Sequence, residues 1–241
     1  MIVILTDFSE SEYLGVMKGV IASIHKNSHI VDLYNKVTAE NIKEGAWILF
    51  SSYRHFPKGT VFLCVVDPGV GSKRQCIAIK TKDYYFVGPD NGLLYQAACE
   101  NKVEAVVKLS DAGASKTFHG RDVFAVAAAK LDSGESIYRL GKKTELRTKS
   151  LFHRKGKEGE VVRVDFFGNI ITNIGPLKKA LYTVKFGGKI KLLEFYDTYE
   201  KAHEGELFLI TGSANTLEIS MKNGKASDKV RLKPGDMIEI Y

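Results

Sequence analysis

The stretch Val65-Val-Asp-Pro-Gly-Val-Gly-Ser-Lys-Arg74 closes a continuous apolar run, Thr60–Val66. A run of this kind, rich in β-branched residues and without alternation, predicts a strand buried on both faces. Asp67 follows at once. Pro68, Gly69 and Gly71 then turn the chain tightly, Pro by fixing φ and Gly by allowing close backbone approach. A carboxylate at the carboxyl end of a buried strand, with a glycine loop and Arg74 beyond it, lies where an open α/β sheet places its ligands. Taken alone, the segment also fits a structural turn capped by Asp. Three other segments repeat the design and favour a site.

Outward from this strand, apolar runs alternate with helical periodicity. Ile2–Leu5 is a short buried strand ending in Thr6-Asp7, and Ser11 or Ser9 caps a helix over Glu12–His25. His29–Tyr34 is a strand, and Thr38 caps a helix in which Ile42, Ala46, Ile48 and Leu49 recur. Gln75–Thr81 and Tyr84–Val87 form a hairpin about Lys82-Asp83. Asn91–Glu100 is a helix, with Asp90 or Asn91 as its cap, and Ala105–Leu109 is a strand. Arg121–Leu131 is an alanine-rich helix that must pack closely. This alternation predicts an α/β domain over residues 1–145, with a mostly parallel sheet covered on both faces.

Past a basic stretch, Lys142–Lys157, helical periodicity fades. Short alternating runs follow: Glu160–Phe166, Ile170–Ile174, Tyr182–Phe186, Ile190–Phe195, Glu206–Thr211, Thr216–Ser220 and Met237–Tyr241. With turns at Gly187-Gly188 and Pro234-Gly235, they predict an all-β, barrel-like second domain over residues 157–241.

The 241 residues are 44% hydrophobic and 26% charged, an ordinary globular balance, and no apolar run nears the ~18 residues of a spanning helix. Cys64, Cys76 and Cys99 lack metal-ligand spacing and read as reduced core residues of a cytoplasmic protein. The net charge of +7 is concentrated in Lys142–Lys157, where lysine is not interleaved with aromatics. A solvated linker is expected there rather than a nucleic-acid groove.

Several groups carry possible chemistry. Asp7, at a strand end, can accept two hydrogen bonds from a vicinal diol or can cap the helix that follows. No G-x-G-x-x-G and no P-loop is present, so no phosphate cradle is expected. In Thr117-Phe-His-Gly-Arg-Asp122, His119 precedes a helix start. With Asp67 and Arg74 it can hold and polarise a water, His or Asp taking the proton and Arg orienting or neutralising charge. In Asp165-Phe-Phe-Gly-Asn169, an exposed amide beside a flat apolar surface suits a purine edge and face; an ordinary hairpin bend is the alternative.

Together these segments resemble the S-adenosyl-L-methionine hydroxide adenosyltransferase family, adenosine-forming hydrolases related to fluorinase and chlorinase. The matching stretches are Leu5–Phe8, Gly15–Gly19, Val65–Gly71, Gly88–Leu94, Thr117–Asp122, and Phe167–Asn169 with Thr172-Asn173. The resemblance implies hydrolysis of S-adenosyl-L-methionine to adenosine and L-methionine without metal or cofactor. It also implies a homotrimer whose active sites lie between neighbouring subunits, with neither nucleic acid nor membrane as partner. By the same resemblance, the water-activating triad is Asp67, Arg74 and His119, and Asp7 holds the ribose diol. Asn169 and Phe167 meet adenine; Asp165, Ser213 and Glu12, or Glu10, meet the methionine end. Ser9 stands where the family usually has glycine. Retention of Asp67 and His119 favours water over halide as nucleophile. A halide-using adenosyltransferase, a non-catalytic adenosine or S-adenosyl-L-methionine binder, and a nucleic-acid module are the competing readings.

Overall fold

The apolar run before Asp67 is a strand, Val61–Val65, with every residue buried. In the computed structural model, which describes residues 1–149 and 152–241, it belongs to the first of two compact units, Met1–Ser150 and Leu151–Tyr241.

In chain order the first unit contains β1 (Ile2–Thr6), α1 (Glu12–Ile24), β2 (Ile30–Tyr34), α2 (Ile42–Ser52) and β3 (Val61–Val65). Then come β4 (Cys76–Thr81), β5 (Tyr85–Pro89), α3 (Tyr95–Glu100), β6 (Val103–Leu109), α4 (Val126–Asp132), α5 (Ile137–Leu140) and β7 (Gly141–Lys143). The sheet order is β2-β1-β3-β5-β4-β6-β7. β1 pairs in parallel with β2 and β3, and β3 with β5, while β4–β5, β4–β6 and β6–β7 are antiparallel. Only β4 and β7 therefore run against the rest, so the sheet is mixed and mostly parallel.

Strand periodicity sorts the core into two layers. Ile2, Ile4, Val61, Leu63 and Val65 face α1 and α4, where Met17, Ile21, Ala127 and Ala128 pack. Alanine lets α4 approach closely. On the opposite face Phe62 stacks on Phe86 at 5.2 Å, with Tyr53 and Tyr84 edge-on around them.

Some local expectations are corrected. The cap of α2 is Asn41, not Thr38: Asn41 Oδ1 accepts the Glu44 N–H at 3.1 Å, and the Glu44 carboxylate accepts the Thr38 N–H at 2.9 Å. This reciprocal pairing satisfies two donors at once. α3 begins at Tyr95, because residues 91–94 form a turn in which Asn91 donates to the Val66 carbonyl. Asp90 caps no helix and instead accepts the N–H groups of Arg147 and Thr148. The basic stretch is thus tethered rather than wholly a solvated linker, and Lys142 and Lys143 form the edge strand β7. Its residues 150 and 151 lie outside the described residues.

The second unit has β8 (Glu158–Val164), β9 (Ile170–Thr172), β10 (Leu181–Phe186), β11 (Lys189–Glu194), β12 (Leu207–Thr211), β13 (Leu217–Met221) and β14 (Met237–Ile240). Their order is β11-β10-β14-β8-β9-β13-β12, each pair antiparallel. The two ends of that order meet where the Tyr196 N–H donates to the Leu209 carbonyl at 3.0 Å, so the sheet nearly closes into a barrel. Inside it lie Val161, Ile170, Tyr182, Val184, Leu209, Leu217, Ile219 and Ile240. Among the described residues no helix is long and apolar enough to cross a membrane.

Candidate active site

Topology gathers three segments at one edge of the first sheet. β1 and β3 are parallel neighbours with Thr6 opposite Val65, so Asp7 and Asp67 leave the sheet on the same side. β4 runs the other way, with Cys76 opposite Pro89 at the end of β5, so the residues before β4, Arg74 among them, reach that same edge. The turn between is held by the Val70 N–H on the Asp67 carbonyl and the Ser72 N–H on the Gly69 carbonyl. Gly71 has φ +75°, and the Lys116 carbonyl occupies the space that a Cβ there would need. The loop is thereby seated against the segment that carries His119.

His119 opens a π-helical turn, Gly120–Ala125, which runs into α4. The expected helix over Arg121–Leu131 thus starts with a wider turn, a feature often found at functional sites.

The three predicted residues come together. The Arg74 guanidinium grips Asp67 with two hydrogen bonds, Nε to Oδ1 at 2.9 Å and Nη2 to Oδ2. Nη2 also meets His119 Nδ1 at 2.8 Å. Because arginine can only donate, Nδ1 is the acceptor, and the ring proton of neutral His119 resides on Nε2. His119 is buried, to 3% exposure, and the side chains of Asp67 and Arg74 are 5% and 9% exposed. The Arg74 guanidinium also packs over the Phe124 ring at 5.4 Å, which fixes its plane.

Cys99 is exposed, which corrects the expectation that all three cysteines are core residues; Cys64 is buried, and so is Cys76. Cys76 Sγ accepts from Arg74 Nη1 at 2.8 Å and lies 3.5 Å from His119 Nδ1. Burial holds the thiol above its ordinary pKa, with Arg74 pulling the other way.

Beside this cluster is a cleft of about 610 Å³, lined in part by Asp7, Phe8, Tyr13, Asp67, Phe118 and His119. Asp7 accepts the Glu40 N–H at 2.9 Å, and its carboxyl is pushed up by burial, with the charge of Asp67 adding to the effect. Phe8, Tyr13 and Phe118 meet edge to face and form an apolar wall. Glu12 is exposed on the first turn of α1 and does not line the cleft, while Glu10 pairs with Lys36 at 2.9 Å.

The second unit has a pocket of about 720 Å³, whose lining includes Asp165, Phe167, Asn169 and Ser213. Asp165 and Asn169 brace a turn: Asp165 Oδ1 accepts the Asn169 N–H at 2.8 Å, and Oδ2 accepts Asn169 Nδ2 at 2.9 Å. The expected exposed amide is therefore 7% exposed, with its Nδ2 donating to Asp165. Phe166 and Phe167 are both exposed, their rings 5.7 Å apart.

Phe8, Tyr13, Phe118, Cys76, Arg163 and Glu218 also belong to these sites, and sequence reasoning did not single them out. The aromatics and Cys76 lie within or beside recognised motifs, so proximity to the motifs is a signal that points to them. Glu218 has no such signal, being a polar residue in an alternating strand.

Two family models cover most of the chain: the SAM hydroxide adenosyltransferase N-terminal domain over residues 2–141 and the C-terminal domain over residues 159–239. An (R)-S-adenosyl-L-methionine hydrolase of Methanocaldococcus jannaschii is 34% identical, over 100% of this chain and 95% of that protein. A fluorinase of Actinopolyspora mzabensis is 25% identical, over 92% of this chain and 90% of its own length. The crystal structure of an uncharacterized conserved protein from Thermotoga maritima has a TM-score of 0.93 and 38% identity, covering 100% of both chains.

Proposed function

The chain belongs to the S-adenosyl-L-methionine hydroxide adenosyltransferase family, and on that premise we propose that it hydrolyses S-adenosyl-L-methionine to adenosine and L-methionine. The observation that carries the reading is the buried Asp67–Arg74–His119 cluster beside a cleft that also presents Asp7.

The substrate is a sulfonium cation, so attack of water at C5′ breaks the C5′–S bond and expels a neutral thioether. No acid is needed for the leaving group. What remains is to hold C5′, align the water opposite sulfur and accept a proton. In this reading Asp7 takes the ribose diol, and the Phe8–Tyr13–Phe118 wall excludes water from the reacting carbon. His119, with Nδ1 engaged by Arg74, donates Nε2–H to the water oxygen. Its second ring nitrogen is already protonated, so the water proton goes to the Asp67 carboxylate. Arg74 spans both groups and keeps them in register. Positioning of this kind supplies up to roughly 7–11 kcal/mol of barrier reduction in favourable cases.

In the second unit, Asn169 Oδ1 suits the adenine amino group and Phe167 the base's face. Asp165 and Ser213 suit the methionine end. The reading calls on no metal or cofactor, and it includes assembly as a homotrimer. A cytoplasmic location accords with the substrate and with three free cysteines.

The test is incubation with S-adenosyl-L-methionine, supplied as both sulfur epimers because the relatives' names specify R, in chloride-free, chelated buffer. Adenosine and methionine in equal amounts are expected. Substrate recovered intact would sink the proposal, and a 5′-halo nucleoside formed only on adding halide would transfer the chain to the halogenating reading. Light scattering tests the trimer.

A further inference from the structure

Cys76 has no task in the reading above. It opens β4, and strand periodicity aligns it with Ala78 in the core layer that meets α1 and α4. The same layer holds Val87, Val107 and Phe124, and only 2% of Cys76 is exposed. An aliphatic residue would suit such a place. A thiol differs from one by carrying a polarisable sulfur that accepts one hydrogen bond weakly and donates another weakly.

That capacity is spent on Arg74. Nε and Nη2 of the guanidinium are committed to Asp67, and Nη2 also to His119 Nδ1. Nη1, the remaining tip of the fork, has Cys76 Sγ at 2.8 Å. The Arg74 side chain is 9% exposed, so bulk water is a poor substitute for this partner. A guanidinium is planar and rigid, so holding Nη1 on one side and Nε with Nη2 on the other fixes its orientation within the plane. The Phe124 ring at 5.4 Å covers its face. The thiol hydrogen has His119 Nδ1 within 3.5 Å and supports the tautomer that Arg74 imposes. Burial keeps the sulfur a neutral thiol against the pull of Arg74, so no second anion competes with Asp67 for the guanidinium.

Cys64 is the internal contrast. It follows Leu63 on β3 and so faces the opposite layer, and burial alone acts on its thiol. One buried sulfur fills space; the other also holds a cation.

We infer that Cys76 is a positioning residue of the reaction: its sulfur fixes the Arg74 guanidinium in the orientation that couples Asp67 to His119. The inference rests on the hydrolase reading for the reaction that Arg74 serves. It extends the cluster by a residue that touches neither water nor substrate and acts through Arg74.

The test combines steady-state kinetics with NMR of the arginine side chains, the Arg74 signals being identified by their loss in Arg74→Lys. A guanidinium held at Nη1 rotates slowly and shows resolved Nη1 hydrogens, and the unaltered chain should show them. Cys76→Ala should merge these signals while the Nε–H signal persists, and should lower kcat about tenfold with KM changed by less than about twofold. Cys76→Ser restores an acceptor, so it should recover the resolved signals and bring kcat back to within about threefold of the unaltered enzyme. Cys64→Ala, which removes a buried sulfur from the other layer, should leave both readouts unchanged. Averaged Nη1 signals in the unaltered chain would overturn the inference. So would a Cys76→Ala enzyme with normal kcat, a serine variant as impaired as the alanine one, or an equal loss of kcat in Cys64→Ala. If the unaltered chain forms no adenosine, the hydrolase reading fails, and the arginine spectra alone decide whether Cys76 holds Arg74.

Discussion

The two pockets of this chain treat buried charge in opposite ways. In the first unit the polar members of the cluster are paired before any ligand arrives: Asp67 by two donors of Arg74, and His119 Nδ1 by a third. In the second unit Glu218 is buried beside another carboxyl, and among the described residues no donor serves it. A group that takes part in bond making benefits from being fixed in advance, since fixing it during the reaction would add to the barrier. A group that binds a charged ligand benefits from being under-satisfied, since the ligand then supplies what the protein withholds. The proposed chemistry and the second pocket thus lie in different electrostatic regimes, one in each unit.

The largest expected effect comes from breaking the pre-satisfied cluster. Asp67→Asn keeps the shape and removes the proposed proton acceptor, so kcat should fall by roughly 100- to 10,000-fold with KM little changed. Steady-state kinetics on both parameters decides it, and a loss confined to KM would place Asp67 in binding. Arg74→Ala attacks the same cluster structurally. It leaves a buried carboxylate unpaired, and removal of one partner from such a pair costs about 3–5 kcal/mol. Urea unfolding of the first unit reads this directly.

Next in size is the pH dependence of stability that the unpaired carboxyl imposes. The ordinary carboxyl value of Glu218 is 4.5, and the folded value is raised to about 7. The folded state therefore holds the proton more tightly than the unfolded one. The stability contributed by the protonated group is complete below pH 4.5 and is lost as pH rises through 7. Glu218→Gln escapes this loss. Without ligand the variant should match the wild type at low pH and exceed it at pH 8 by about 2–3 kcal/mol. Unfolding of the second unit at pH 4.5 and pH 8 measures the gap. A gap that does not widen with pH would mean that the carboxyl is better solvated than its surroundings indicate.

The same contrast explains how much was legible in the sequence. Asp67, Arg74 and His119 sit in glycine-rich turns at strand and helix ends, where local sequence fixes both the turn and the carboxyl edge of the sheet. Their convergence follows from β1 and β3 being parallel neighbours and from the β4–β5 hairpin bringing Arg74 back to that edge. Glu218 could not be read in this way. Alternation places it on an outer strand face, normally solvated, and only the tertiary covering by Tyr196–Ala202 makes that face an interior. The caps of α2 and α3 failed for a related reason. Thr38 and Asp90 have capping chemistry, yet the competing partners, Glu44 and the 147–148 backbone, are a matter of three-dimensional proximity.

The smallest effect tests whether the pre-organised unit carries residual strain. Ser9, in the loop after β1, has φ +53°, a left-handed conformation that costs an L-residue about 1–2 kcal/mol. Its backbone N–H donates to the Asn35 carbonyl at 2.6 Å, a bond that glycine can make equally well. Ser9→Gly removes the steric cost but widens the conformational freedom of the unfolded chain, which takes back about 0.5–1 kcal/mol. The balance is a stabilisation of about 0.5 kcal/mol, or a rise in Tm of about 1–2 °C for a chain of this size. Differential scanning calorimetry resolves such a shift. A fall in Tm would show that the serine hydroxyl makes up for the backbone cost. The cleft-forming loop after β1 would then be held by a side-chain interaction rather than tolerated as strain.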